Sequence, residues 1–120
     1  SVDADPDVFP FLKVAAELNG VATTPLVSRF EQLKRKQLKN HDMLIAADIC
    51  FWDELVKPVT NMVNRAIDAG VKRIMIADPE RSTFLEMAER CVDRHGGELV
   101  EWRTKGSIGA RGSILIIDNA

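Results

Sequence analysis

The sequence predicts an α/β fold: a mostly parallel sheet, interleaved with helices, that ends in an antiparallel strand pair. Three observations predict it. Helix-period and strand-type patterns alternate along the chain. Residues 43–47 and 71–77 are rich in apolar side chains, as strands covered on both faces of a parallel sheet are. The last two strand patterns, 98–102 and 113–117, are separated by residues that include Gly106, Gly109 and Gly112. No helix fits between them, so they should pair as an antiparallel hairpin.

The chain has 120 residues, the size of a single domain spanning 1–120. Apolar types make up 46% and charged types 28%, a balance that excludes intrinsic disorder. No apolar run approaches the ~20 residues of a membrane span. The formal charge of −2 provides no field to draw in nucleic acid or an acidic membrane. Neither partner is expected. Two cysteines, Cys50 and Cys91, do not form a disulfide framework, and a reduced, cytoplasmic setting fits them. His41 and His95 have no ligand-spaced partners, so no metal site is expected. The chain opens Ser-Val-Asp-Ala-Asp-Pro without an initiator Met, like the tail of a strand whose body lies upstream. A fragment is expected.

Each element has its own signal. Asp5 suits a cap and Pro6 a first helical position. Val8, Phe11, Leu12, Ala15 and Ala16 then mark one face of a helix that Asn19-Gly20 ends. Residues 21–27 read as a weak strand broken by Pro25, hence an edge. Residues 31–39 read as a short charged helix or turn, and the cluster of Lys34, Arg35, Lys36 and Lys39 reads as a solvated face. Residues 43–47 form the strongest buried strand. A helix opens at Asp53 or Glu54, and its regular part is expected to begin only near Pro58, since proline is tolerated in a first turn. Its apolar face is Leu55, Val59, Met62, Val63, Ala66 and Ile67, and Gly70 stops it. After the strand at 71–77, Thr83 with Glu86 has the form of a capping box. Phe84, Leu85, Ala88, Cys91 and Val92 face inward before Gly96-Gly97. Met43, Met62, Met75 and Met87 read as core fillers.

Three motifs bear on chemistry, and each has a plainer alternative. In Val2-Asp3-Ala4-Asp5-Pro6, a carboxylate at a strand's carboxyl end can accept from a ribose diol. Alternatively Asp5 only caps the helix and Asp3 is solvated. In Ala46-Ala47-Asp48-Ile49-Cys50-Phe51-Trp52-Asp53, Asp48 and the two aromatics sit where open α/β sheets bind ligands. Alternatively Phe51 and Trp52 pack under the next helix. In Ala77-Asp78-Pro79-Glu80-Arg81-Ser82, Arg81 can anchor an anion or pair with Asp78, or the segment is a capped turn. Cys50 has no histidine close in sequence to activate it, so it reads as inert.

Taken in order, Val2-Asp3-Ala4-Asp5-Pro6, Ala16-Glu17-Leu18-Asn19-Gly20-Val21, Asp42-Met43-Leu44-Ile45-Ala46-Ala47-Asp48-Ile49 and Ile76-Ala77-Asp78-Pro79-Glu80-Arg81 resemble the class I S-adenosylmethionine-dependent methyltransferases. The nearest look is to the nicotinamide and protein-lysine methyltransferase-like branch. The resemblance covers nearly the whole chain and implies a partial Rossmann-like methyltransferase sheet, the C-terminal two-thirds of such a domain. It implies S-adenosylmethionine as cofactor and methyl transfer to a nitrogen of a small molecule or protein. It assigns Asp3, with Asp5 as second choice, to the cofactor's ribose. Ser28, Arg29 and Phe30 fall where the family's adenine-flanking loop lies. Ala47 matches the strand end near the sulfonium, and Asp48 the catalytic position. Phe51 and Trp52 line the acceptor side.

Some family features are absent. The family's first strand and glycine-rich loop do not occur in these residues, and there is no Asn/Asp-Pro-Pro-Tyr motif. The chain alone is therefore expected to be inactive. The strand at 43–47 is expected to carry an open apolar edge that invites self-association. Two other functions compete. A phosphoacceptor receiver domain is mimicked by Asp3, Asp5, Asp48 and Lys105, the acids of that module holding magnesium. It ends in a helix, however, and this chain ends in a strand pattern. A non-catalytic methyltransferase-like scaffold is the other.

Overall fold

A computed structural model describes residues 1–106 and 108–119. They form two compact units, Ser1–Leu33 and Lys34–Ala120.

In the first unit, strand β1 (Val2–Asp3) pairs in parallel with β2 (Leu26–Val27). The expected strand at 21–27 contracts to those two residues, because Pro25 has no N–H to donate. The pairing is secured by Leu26 N–H to the Ser1 carbonyl (2.9 Å) and Ser28 N–H to the Asp3 carbonyl (3.0 Å). Asp5 caps, as expected, by accepting from Asp7 N–H at 2.9 Å. What it caps is a 3₁₀ turn, Pro6–Val8, and helix α1 (Phe9–Leu18) starts only after it. The cause is Pro10: lacking an N–H, it cannot continue an α-ladder back to Pro6, and Phe9 N–H takes the Pro6 carbonyl instead. The inward face shifts accordingly. Ala16 is buried and Leu12 and Phe9 half-buried, while Val8, Ala15 and Phe11 are exposed, Phe11 at 79%. Gly20, at φ 64°, ends the helix. A 3₁₀ turn at Phe30–Gln32 closes the unit, Gln32 Oε1 accepting from Arg29 N–H at 3.0 Å.

The second unit carries a four-stranded sheet. Its elements in chain order are α2 (Arg35–Leu38), β3 (Met43–Ala47), α3 (Asp53–Asp68), β4 (Arg73–Asp78), α4 (Ser82–His95), β5 (Glu98–Arg103) and β6 (Arg111–Asp118). Spatial order is β3-β4-β6-β5, with β3–β4 parallel and β6 antiparallel to both of its neighbours. The closing hairpin is therefore present.

Register explains the core. Leu44, Ile74 and Ile117 align on one face, as do Ala46, Ile76 and Leu115. Ile74, Ile76, Leu115 and Ile117 are buried there with Val59, Met62, Val63 and Ala66 of α3 and Phe84, Met87, Ala88 and Cys91 of α4. The opposite face presents Ile45, Met75, Ile116 and Ile114, of which Ile45 is exposed and the other three are half-buried. That corrects the expectation for β3. Its open edge is as expected, since within its unit β3 has one strand partner; what changes is its burial. Met43 is exposed and Ile45 is 69% exposed.

Three helix expectations also change. Helix α3 runs unbroken from Asp53 through Pro58, which is only its sixth residue. The one carbonyl that Pro58 leaves without a helical donor belongs to Glu54, an exposed residue. Val56 joins the buried face of α3, and Leu55 and Ile67 only flank it. No capping box forms at Thr83. Helix α4 starts at Ser82, so Thr83 lies inside its first turn, and its hydroxyl donates to the Cys50 carbonyl instead. Met87 and Thr83 replace Leu85 and Val92 among the buried residues of α4.

Candidate functional site

The residues singled out from sequence fall into two groups, one in each unit. In the first unit, Asp3 ends β1, and its Oδ1 accepts from Asp5 N–H at 2.9 Å. This short turn leaves the other Asp3 oxygen exposed as an acceptor. Asp5 Oδ1 is spent on Asp7 N–H. Ser28 is buried, and its hydroxyl donates to the Arg29 carbonyl at 3.0 Å. Arg29 and Phe30 follow at the entry to the 3₁₀ turn, Arg29 exposed and Phe30 half-buried. The β1–β2 pairing therefore brings Asp3 and Ser28 together through backbone.

In the second unit, Ala47 and Asp48 stand at the carboxyl end of β3. Asp48 N–H continues the ladder to the Ala77 carbonyl at 2.9 Å, while its φ of 62° turns the chain out of the sheet. A non-glycine residue in the left-handed region is uncommon, and aspartate tolerates it better than most. Glu80, in the turn after β4, also has a positive φ, 78°. Two neighbouring turns at the carboxyl edge of the sheet thus hold strained backbone.

Between them lies Arg81. Its guanidinium contacts the Asp48 carboxylate, approaches Asp78 Oδ1 at 3.9 Å and lies 5.8 Å from the centre of the Phe51 ring. That ring meets Trp52 edge-on, centroids 4.9 Å apart at 71°. Phe51 and Trp52 are exposed rather than packed beneath α3, which favours the wall reading of the second motif.

The arginine is backed by buried charge. Asp78 ends β4 with its side chain 1% exposed, and its Oδ2 accepts from Arg81 N–H at 2.9 Å. Its Oδ1 has no hydrogen-bond partner among the described residues. Burial raises the Asp78 carboxyl above the ordinary aspartate range, against the lowering effect of the Arg81 and Glu80 backbone N–H groups. Glu80 accepts from the Ser113 hydroxyl at 2.9 Å and lies 3.5 Å from Arg111 Nε, which ties the turn to β6.

Cys50 lies beside this cluster but is wholly buried, and burial, with Asp78 nearby, pushes its thiol up to about 11. It is no nucleophile. Among the described residues, no group of His, Cys, Asp and Glu could hold a metal ion, and no helix is long and apolar enough to cross a membrane. Sequence reasoning offered Arg81 an anion, a pairing with Asp78 or a place in a capped turn, and missed its pairing with Asp48. Thirty-three residues separate Asp48 from Arg81, and only the parallel β3–β4 register makes their turns neighbours.

The geometry defines a Rossmann-like methyltransferase fold, present in part: parallel strands whose carboxyl ends carry acidic and aromatic residues, closed by an antiparallel pair. Solved structures agree. The chain resembles the delta-N METTL16 methyltransferase domain (TM-score 0.66, 10% identity, 99% of this chain and 61% of that one). It resembles human methyltransferase 10 domain containing protein (TM-score 0.67, 9% identity, 99% and 59%). It also resembles magnesium protoporphyrin IX methyltransferase (ChlM) from Synechocystis PCC 6803 with bound SAM (TM-score 0.64, 14% identity, 99% and 58%). The chain thus spans about three fifths of the length of these three structures. No protein-family model and no curated protein sequence matches it.

Proposed function

We propose that this chain belongs to an S-adenosylmethionine-dependent methyltransferase acting on a nitrogen of a small molecule or protein, and that the chain alone is inactive. The observation that carries the reading is the likeness over 99% of the chain to solved methyltransferases, one of them holding S-adenosylmethionine. The residues fit that cofactor: Asp3 keeps an exposed carboxylate oxygen for a ribose hydroxyl, with Asp5 the second choice. Ser28, Arg29 and Phe30 are assigned to the adenine, Ala47 to the strand end beside the sulfonium, and Phe51 and Trp52 to the acceptor.

The cofactor supplies an electrophilic methyl group on a sulfonium, so holding donor and acceptor in line accounts for most of the acceleration. The acceptor nitrogen must shed its proton before it attacks, and Asp48 is the carboxylate assigned to take it. Calorimetry with S-adenosylhomocysteine tests the reading. The expected outcome is weak binding to this chain, measurable binding to a longer protein that includes it, and loss of that binding in Asp3→Ala. A longer protein that does not bind S-adenosylhomocysteine overturns it. Unchanged turnover of Asp48→Ala in that protein removes the catalytic role of Asp48.

A second proposal concerns self-association. We propose that the edge of β3, where Ile45 is exposed, pairs with another copy of the chain.

A further inference from the structure

We infer that the Asp48–Arg81 pair is a docking site for a zwitterion, an amino acid whose carboxylate takes Arg81 and whose ammonium takes Asp48. For the claim that this amino acid is the methyl acceptor, the inference rests on the proposed function; for binding itself it does not.

Four observations carry it. First, the two charges already contact one another at the carboxyl edge of the sheet. Asp48 is 63% exposed and Arg81 34%, and an exposed pair of this kind contributes little by itself. A ligand offering both opposite charges can therefore replace the pair with two charge-assisted contacts at small cost. Second, Arg81 does not depend on Asp48 for compensation. The buried Asp78 carboxylate lies behind it, its Oδ1 without a hydrogen-bond partner and 3.9 Å away, so Arg81 stays in place when Asp48 turns aside. Third, backbone bonds fix both ends of the site. Asp48 N–H holds the Ala77 carbonyl and Arg81 N–H holds Asp78 Oδ2. Opening the pair then requires only side-chain rotation. Fourth, the exposed Phe51 ring lies 5.8 Å from the Arg81 guanidinium and meets the exposed Trp52 ring edge-on, which suits an apolar or planar body. An amine alone would gain only the Asp48 contact, and a carboxylate alone would leave Asp48 facing a second anion.

The test uses three matched probes on this chain: L-phenylalanine, phenethylamine lacking the carboxylate, and 3-phenylpropionate lacking the amine. Binding is followed by amide chemical shifts of Asp48, Phe51 and Arg81. L-phenylalanine is expected to bind at least ten-fold more tightly than either truncated probe. Asp48→Asn, which keeps a residue at ease in the left-handed region, and Arg81→Met should each abolish that preference while keeping the wild-type spectrum elsewhere. Equal affinity for phenethylamine, equal affinity for 3-phenylpropionate, or no shift with L-phenylalanine overturns the inference. S-adenosylhomocysteine binding by the longer protein is read separately, so either idea can fail without the other.

Discussion

The Thr83 hydroxyl donates to the Cys50 carbonyl at 2.6 Å, and the Cys50 thiol points back at the Thr83 carbonyl at 3.6 Å. The pair is buried and joins the loop after β3 to the first turn of α4. It fixes the turn bearing Arg81 against the turn bearing Asp48. Thr83→Val keeps the shape and removes the donor, stranding a buried carbonyl. A loss of about 1–3 kcal/mol in urea unfolding is expected, and Thr83→Ser should recover most of it.

The two thiols predict an alkaline limit. Burial pushes both Cys50 and Cys91 from about 9 up to about 11 in the folded chain. The unfolded chain therefore loses its thiol protons first as pH rises past 9. Stability from this source is complete below that value and is lost progressively toward 11. The sequence contains no tyrosine, so thiolate absorbance is free of tyrosinate. Urea midpoints should fall between pH 8 and 10.5, and less steeply in Cys50→Ala.

Gly112 is predicted to resist substitution. A Cβ there would lie 2.8 Å from the Asp78 carbonyl and 3.2 Å from the Trp102 ring, which lies directly across the β5–β6 register. Neither the backbone carbonyl nor the ring can yield far. Gly112→Ala should cost about 1–3 kcal/mol by denaturant unfolding, whereas Gly109→Ala, with open space around it, should cost less.

Self-association is read at β3. Ile45→Lys places a charge on the exposed face of an edge strand without touching the residues buried beneath α3 and α4. Gel filtration and light scattering should show the wild-type chain associating with concentration and the variant remaining monomeric. A monomeric wild-type chain contradicts the second proposal.

Residues close together in the chain determined much by themselves. Alternating helix and strand patterns were enough for the α/β class, the two apolar strands, the Gly96 stop and the closing hairpin, because periodicity and turn chemistry act over a few neighbours. Asp3, Asp48, Phe51 and Trp52 stood out because they follow strand patterns. Tertiary structure decided the rest. The outward turn of Phe11 and Ile45 depends on which faces find a partner, and amphipathic spacing does not encode that. Thr83 abandoned its cap because Cys50, thirty-three residues earlier, offered a buried carbonyl. Arg81 reached Asp48 because parallel pairing of β3 and β4 set two distant turns side by side. For Thr83 and Arg81 the decisive partner lies thirty-three residues earlier in the chain, and its proximity exists only once the chain is folded.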